Sequence, residues 1–146
     1  MEQLDLRRFE IYSAWNAFKK VVVNGERGEL TSMDDIATDW ATFYDKVDFS
    51  SVQFVGNSFG GATVFRILSI PPDEGFSPFP VSHALLLDPW LLPFRTPGPK
   101  PINPDSGTTT LILDSEEFTL YIPGFLDLMP EIRPFWFNPP TYTICE

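Results

Sequence analysis

The stretch Phe54-Val55-Gly56-Asn57-Ser58-Phe59-Gly60-Gly61-Ala62-Thr63 decides how this chain is read. A short β-branched and aromatic run, Val52 to Val55, enters it. A small-residue helix start, Gly61-Ala62-Thr63-Val64, leaves it. A strand and a helix are therefore joined through a turn with a serine at its tip. A turn this tight has no room on its inner side. Gly56 and Gly60 are expected to face neighbouring backbone where a Cβ would clash. The same turn lifts the Ser58 hydroxyl clear of the sheet and aims backbone N–H groups at an incoming carbonyl.

Gly56-x-Ser58-x-Gly60 between a strand and a helix is the pattern of the nucleophile elbow, which stands at the top of the sheet in α/β-hydrolases. The surrounding segments agree. Residues 6 to 22 read as an amphipathic helix, with Ile11, Ala14, Trp15, Phe18, Val21 and Val22 on one face and Asn24-Gly25 ending it. Ser32 and Asp35 form a weak capping box for a second helix from about Met33 to Val47. After the elbow, a helix from about Gly60 to Ser69 stops at Pro71-Pro72. His83 to Leu87 and Thr109 to Leu113 read as two further strands, the first apolar throughout as in a strand covered on both faces. A short helix is expected over Glu116 to Leu128. The predicted fold class is α/β: a partial α/β-hydrolase fold, a parallel sheet with flanking helices. Residues 1–129 form the partial domain, and residues 130–146, with four prolines, read as an irregular tail.

Composition narrows the functions. With 43% hydrophobic residues the 146-residue chain can bury a core. Its net charge of −10 argues against nucleic-acid binding, which needs a basic face. One cysteine and one histidine exclude a disulfide framework and a Cys/His or His-rich metal centre. No apolar run is long enough to span a bilayer, and the first residues do not read as a signal peptide. The lack of a visible signal peptide and the single cysteine lean toward the cytoplasm without fixing a compartment.

A serine nucleophile needs a general base and an acid that orients it. Functional groups gather at the C-terminal ends of parallel strands. Asp88 and Asp114 both close predicted strands, and position alone does not choose between them. His83 is the sole histidine and begins the strand that Asp88 ends. Five strand residues span about 16 Å, and an odd separation puts the two side chains on opposite faces. His83 is therefore not the base for Asp88. One oxyanion donor is the N–H of Phe59; no Gly-rich loop precedes residue 51 to supply a second.

Three motifs in order, Gly56-Asn-Ser-Phe-Gly-Gly-Ala-Thr-Val64, Leu86-Leu-Asp-Pro-Trp90 and Leu111-Ile-Leu-Asp-Ser-Glu-Glu-Phe118, resemble the plasma-type platelet-activating factor acetylhydrolases. Asn24-Gly-Glu-Arg-Gly-Glu-Leu30 is similar to fungal members. The resemblance covers about residues 6 to 128. It implies a cofactor-free serine esterase that releases short or oxidised acyl chains from the sn-2 position of phospholipids. It implies Ser58 as nucleophile and Asp88, rather than Asp114, as the acid. Asn57 stands where that family has histidine, the loop Pro71–Pro80 lengthens the Ser58-to-Asp88 spacing, and the segment carrying the family's catalytic histidine is absent from the sequence.

The expected partner is a phospholipid or small ester, with low turnover for want of a base. Trp90 and Phe94 are candidates for an acyl pocket, and Phe76 and Phe79 for lipid contact or ordinary packing. The chain reads as a partial copy of such an esterase. A chain supplying the missing strands and histidine, a non-catalytic remnant or binding module, and a lipase or carboxylesterase of other substrate range are the competing readings.

Overall fold

A computed structural model describes residues 2–24, 40–94, 98–102, 107–121 and 142–145. Helix α1 (Glu2–Asn24) leads to a 3-10 turn (Trp40–Phe43), then β1 (Val52–Asn57), α2 (Phe59–Ser69), β2 (Val81–Leu87), β3 (Thr109–Ser115), α3 (Glu116–Tyr121) and β4 (Tyr142–Cys145). The four strands form one parallel sheet in the order β1-β2-β3-β4. The α/β class read from the sequence is therefore the class of the structure.

Alternation along the strands sorts the side chains into two faces. On one face, Ala84, Leu86 and Ile112 are buried with Val64 and Phe65 of α2, and Phe54 packs against this cluster. Helix α1 lies on the same side. Its Tyr12 and Trp15 rings pack on Phe79, and Phe79 packs on Phe54. The other face carries Val55, Leu85, Leu87, Leu111 and Leu113. Its leucines are half-buried and Val55 is 67% exposed. Topology explains the asymmetry. Each step from β1 to β4 moves the same way across the sheet, and right-handed crossovers moving the same way lie on the same face. Among the described residues β1 pairs only with β2, so the elbow strand is an edge strand.

Several expectations need correction. The buried stripe of α1 runs through Leu4, Arg8, Tyr12, Val21 and Val22, whereas Ala14 is exposed. Arg8 is buried because its guanidinium donates to Pro71 O and to Asp73. A hydropathy pattern cannot anticipate a paired cation on the inner face. The second predicted helix does not reach Val47: Trp40–Phe43 is a 3-10 turn followed by irregular backbone, and Met33 to Asp39 lie outside the described residues. Tyr142–Cys145 is a strand, β4, where the irregular tail was expected. It pairs with Ile112–Ser115, because β3 offers a free edge that β-prone Tyr-Thr-Ile can extend. Phe76 and Phe79, for which ordinary packing is the favoured expectation over lipid contact, do pack under α1, Phe76 against Phe9 and Tyr12 and Phe79 against Tyr12. The part of the Glu116–Leu128 helix beyond Tyr121 lies outside the described residues.

Candidate active site

Ser58 sits between β1 and α2 with φ 52° and ψ −116°. Backbone of this kind is unfavourable for any residue with a Cβ, at a cost of roughly 1–3 kcal/mol, and persists only where its surroundings enforce it. Here the enforcement comes from the next strand. The Ser58 N–H donates to Leu87 O at 2.9 Å, and Ser58 O accepts from Trp90 N–H at 2.9 Å. Ser58 O also accepts from Ala62 N–H as the first turn of α2 closes. The Ser58 side chain makes no capping bond to the helix it precedes, which leaves its hydroxyl available for chemistry. Phe59 opens α2, so its N–H is one of those a helix leaves without an internal partner, at the positive end of the helix dipole.

Close packing around the elbow decides which glycines are needed. A Cβ on Gly56 would lie 2.5 Å from Gly60 O, as the sequence leads one to expect. Gly60 itself faces open space, which corrects the second half of that expectation. The second tight glycine is Gly61, where a Cβ would meet the Pro89 Cβ at 2.8 Å. That contact joins the elbow helix to the loop after β2, and no local sequence signal announces it.

Asp88 ends β2 at φ 44°. Its N–H donates to Leu113 O, and its Oδ1 accepts from Ser115 N–H at 2.6 Å. Asp88 is thus braced by the end of β3, leaving its second oxygen for another donor. The Leu87 carbonyl that receives the Ser58 N–H also accepts from Asn57 Nδ2 at 3.2 Å. Asn57 therefore ties the elbow to the strand that carries Asp88. Sequence reasoning did not assign either Ser115 or Asn57 this bracing role, which only the strand register reveals.

Asp114 lies one strand further. Its Oδ1 is buried without a hydrogen-bond partner. Burial, and secondarily the Asp88 charge, push its carboxyl up to about 6. His83 is exposed at the opposite end of β2, in register with Gln53 and Thr109, its Nδ1 3.2 Å from Ser82 Oγ. It is not brought to Ser58. Trp90 packs on the Phe59 ring at 5.8 Å, beside the elbow. Phe94 packs edge-on against Phe65 and joins the core cluster. Among the described residues no His, Cys, Asp and Glu cluster could hold a metal ion.

A parallel sheet whose edge strand turns through a strained serine into a helix, with an aspartate at the end of the next strand, places the molecule in the α/β-hydrolase class. The family model for platelet-activating factor acetylhydrolase, isoform II matches residues 1–122, and the chain belongs to that family. It is accordingly a platelet-activating factor acetylhydrolase-like hydrolase. No curated protein and no solved structure matched the chain. Among the described residues no helix is long and apolar enough to cross a membrane.

Proposed function

We propose that this chain carries the nucleophile and acid of a serine esterase acting on short or oxidised sn-2 acyl esters of phospholipids. Ser58 is the nucleophile, Asp88 the acid, and the Phe59 N–H one oxyanion donor. The observation that carries the reading is the strained Ser58 backbone, held by two hydrogen bonds to the segment around Asp88. Such strain is retained where a side chain must be presented in one direction. Asp88 suits the orienting role better than Asp114. Asp88 follows directly on the Leu87 carbonyl that holds the Ser58 N–H and is itself braced by the Ser115 N–H, whereas the Asp114 Oδ1, one strand further, is buried without a hydrogen-bond partner.

The chemistry assigned to these groups is acyl transfer. The Ser58 Oγ attacks the ester carbonyl, the developing oxyanion meets the Phe59 N–H, and an imidazole takes the hydroxyl proton. The one histidine of the 146 residues lies at the other end of the sheet. These residues alone therefore attack slowly. Without its base a triad keeps only the fraction of catalysis that binding and the oxyanion hole provide. A fluorophosphonate probe tests this. Slow labelling confined to Ser58, accelerated by added imidazole and lost in Ser58→Ala, is expected. Equal labelling of Ser58→Ala would refute the assignment. Acceleration by a second, histidine-bearing polypeptide in place of imidazole would identify a complementing chain. Comparing acetyl with long-acyl sn-2 phospholipids under the same rescue reads the acyl preference.

A further inference from the structure

A cleft of about 710 Å³ opens at the end of the sheet opposite Ser58. Val81, at the start of β2, lines it, and the seven residues of that strand put it about 20 Å from Asp88. Ser58, Asp88, Trp90 and Phe94 take no part in its wall. Its volume lies within the range of small-molecule sites. The wall is mostly apolar, built from Ile67 and Leu68 of α2, the Phe79 ring and the rigid rings of Pro71 and Pro80.

The polar groups in the wall are hydroxyls. Ser82 Oγ donates to Val52 O, and Thr108 Oγ1 donates to Val81 O. Tyr12 and Thr110 differ. They are only 2% and 8% exposed, and neither hydroxyl has a hydrogen bond among the described residues. Leaving a buried hydroxyl unpaired costs free energy. Among the described residues neither hydroxyl is one of the fully enclosed unpartnered atoms, Arg8 Nε and Asp114 Oδ1, and both Tyr12 and Thr110 line the cleft. Burial raises the Tyr12 phenol above its usual range, keeping it a proton donor. Among the described residues no charged side chain lines the cleft. The nearby Arg8 is already held by Pro71 O and Asp73.

We propose that this cleft is a second, non-catalytic binding site for an uncharged, largely apolar molecule with a single oxygen function, which Tyr12 and Thr110 hydrogen-bond. A carboxylate is disfavoured, because among the described residues no cation lines the wall and the molecule carries a net charge of −10. The site stands independently of the esterase reading, since it shares no residue with the elbow.

The test measures equilibrium binding of 1-dodecanol, dodecane and dodecanoate to the 146-residue chain. Dodecanol should bind most tightly and dodecanoate, at neutral pH, more weakly. Tyr12→Phe and Thr110→Val preserve shape and remove only the hydroxyls. Together they should weaken dodecanol about tenfold, as expected for lost hydrogen bonds, and leave dodecane unchanged. Fluorophosphonate labelling of Ser58 should leave dodecanol binding intact. Equal affinity for dodecanol and dodecane, unchanged dodecanol binding in the double variant, or competition with the Ser58 label would each overturn the proposal. The last would place the alcohol at the elbow instead.

Discussion

Two glycines four positions apart have opposite physical roles in the elbow. At Gly56 any side chain would press on the Gly60 carbonyl, which is backbone and cannot swing aside. At Gly60 an added Cβ meets nothing, and the position is helical. Gly56→Ala should therefore destabilise by about 3 kcal/mol or more, as strained and overpacked positions do. Gly60→Ala should gain roughly 0.5–1 kcal/mol from helix propensity. Urea unfolding midpoints of the two variants check both signs. Asp114 gives a second prediction at this scale. Its carboxyl has a folded pKa raised to about 6, so its contribution to stability is fully present below the unfolded value and is lost as pH rises through about 6. Asp114→Asn removes that dependence. Because the site is partly open to solvent, the gain at pH 7 should be on the order of 1 kcal/mol, vanishing near pH 4. Unfolding free energies of both proteins from pH 4 to 7 decide it.

Among elements, α1 shows how one paired cation can reset a helix face. Arg7 and Arg8 are neighbours with different fates. Arg7 meets Glu10 in an exposed pair, and exposed pairs contribute little. Arg8, 5% exposed, satisfies Pro71 O and binds Asp73, fastening α1 to the loop after α2. Arg8→Ala should cost about 2 kcal/mol, the range for a buried charged hydrogen bond, and Arg7→Ala less than about 0.5 kcal/mol. Thermal or urea unfolding of each variant would refute this if the two costs were equal. The α1 stripe shows where reading by period stops. The spacing of Val21 and Val22 was legible, whereas Arg8 entered the interior because its partners come from a segment more than sixty residues away.

At the scale of the whole molecule, the sheet is built from one side. Both described long helices cover the Phe54 face, and among the described residues β1 is the end strand of the sheet, with Val55 mostly exposed. Its sequence, Val-Gln-Phe-Val-Gly-Asn, contains no charge and no proline to discourage pairing with another edge. Aggregation through β1 is the expected failure of the molecule. Val55→Lys puts a charge on the open face without touching the core. It should slow the growth of light scattering at 37 °C several-fold while leaving the unfolding midpoint within about 0.5 kcal/mol of its original stability. Unchanged scattering would show that β1 is not the aggregating edge.

The elbow, its serine, the strand ends carrying Asp88 and Asp114, and the α/β class were all legible in the sequence. Each rests on local signals: glycines in a tight turn, short β-branched and apolar runs for the strands, and prolines that stop a helix. Tertiary structure decided the rest. It made Gly61 rather than Gly60 the second tight glycine, because Pro89 arrives from another loop. It paired Asp88 with the Ser115 N–H and left the buried Asp114 Oδ1 without a partner. It also added β4 to the free edge of β3 and opened a cleft at the end of the sheet opposite Ser58. Burial and electrostatics depend on groups brought together from distant parts of the chain, and a linear pattern does not contain those distances.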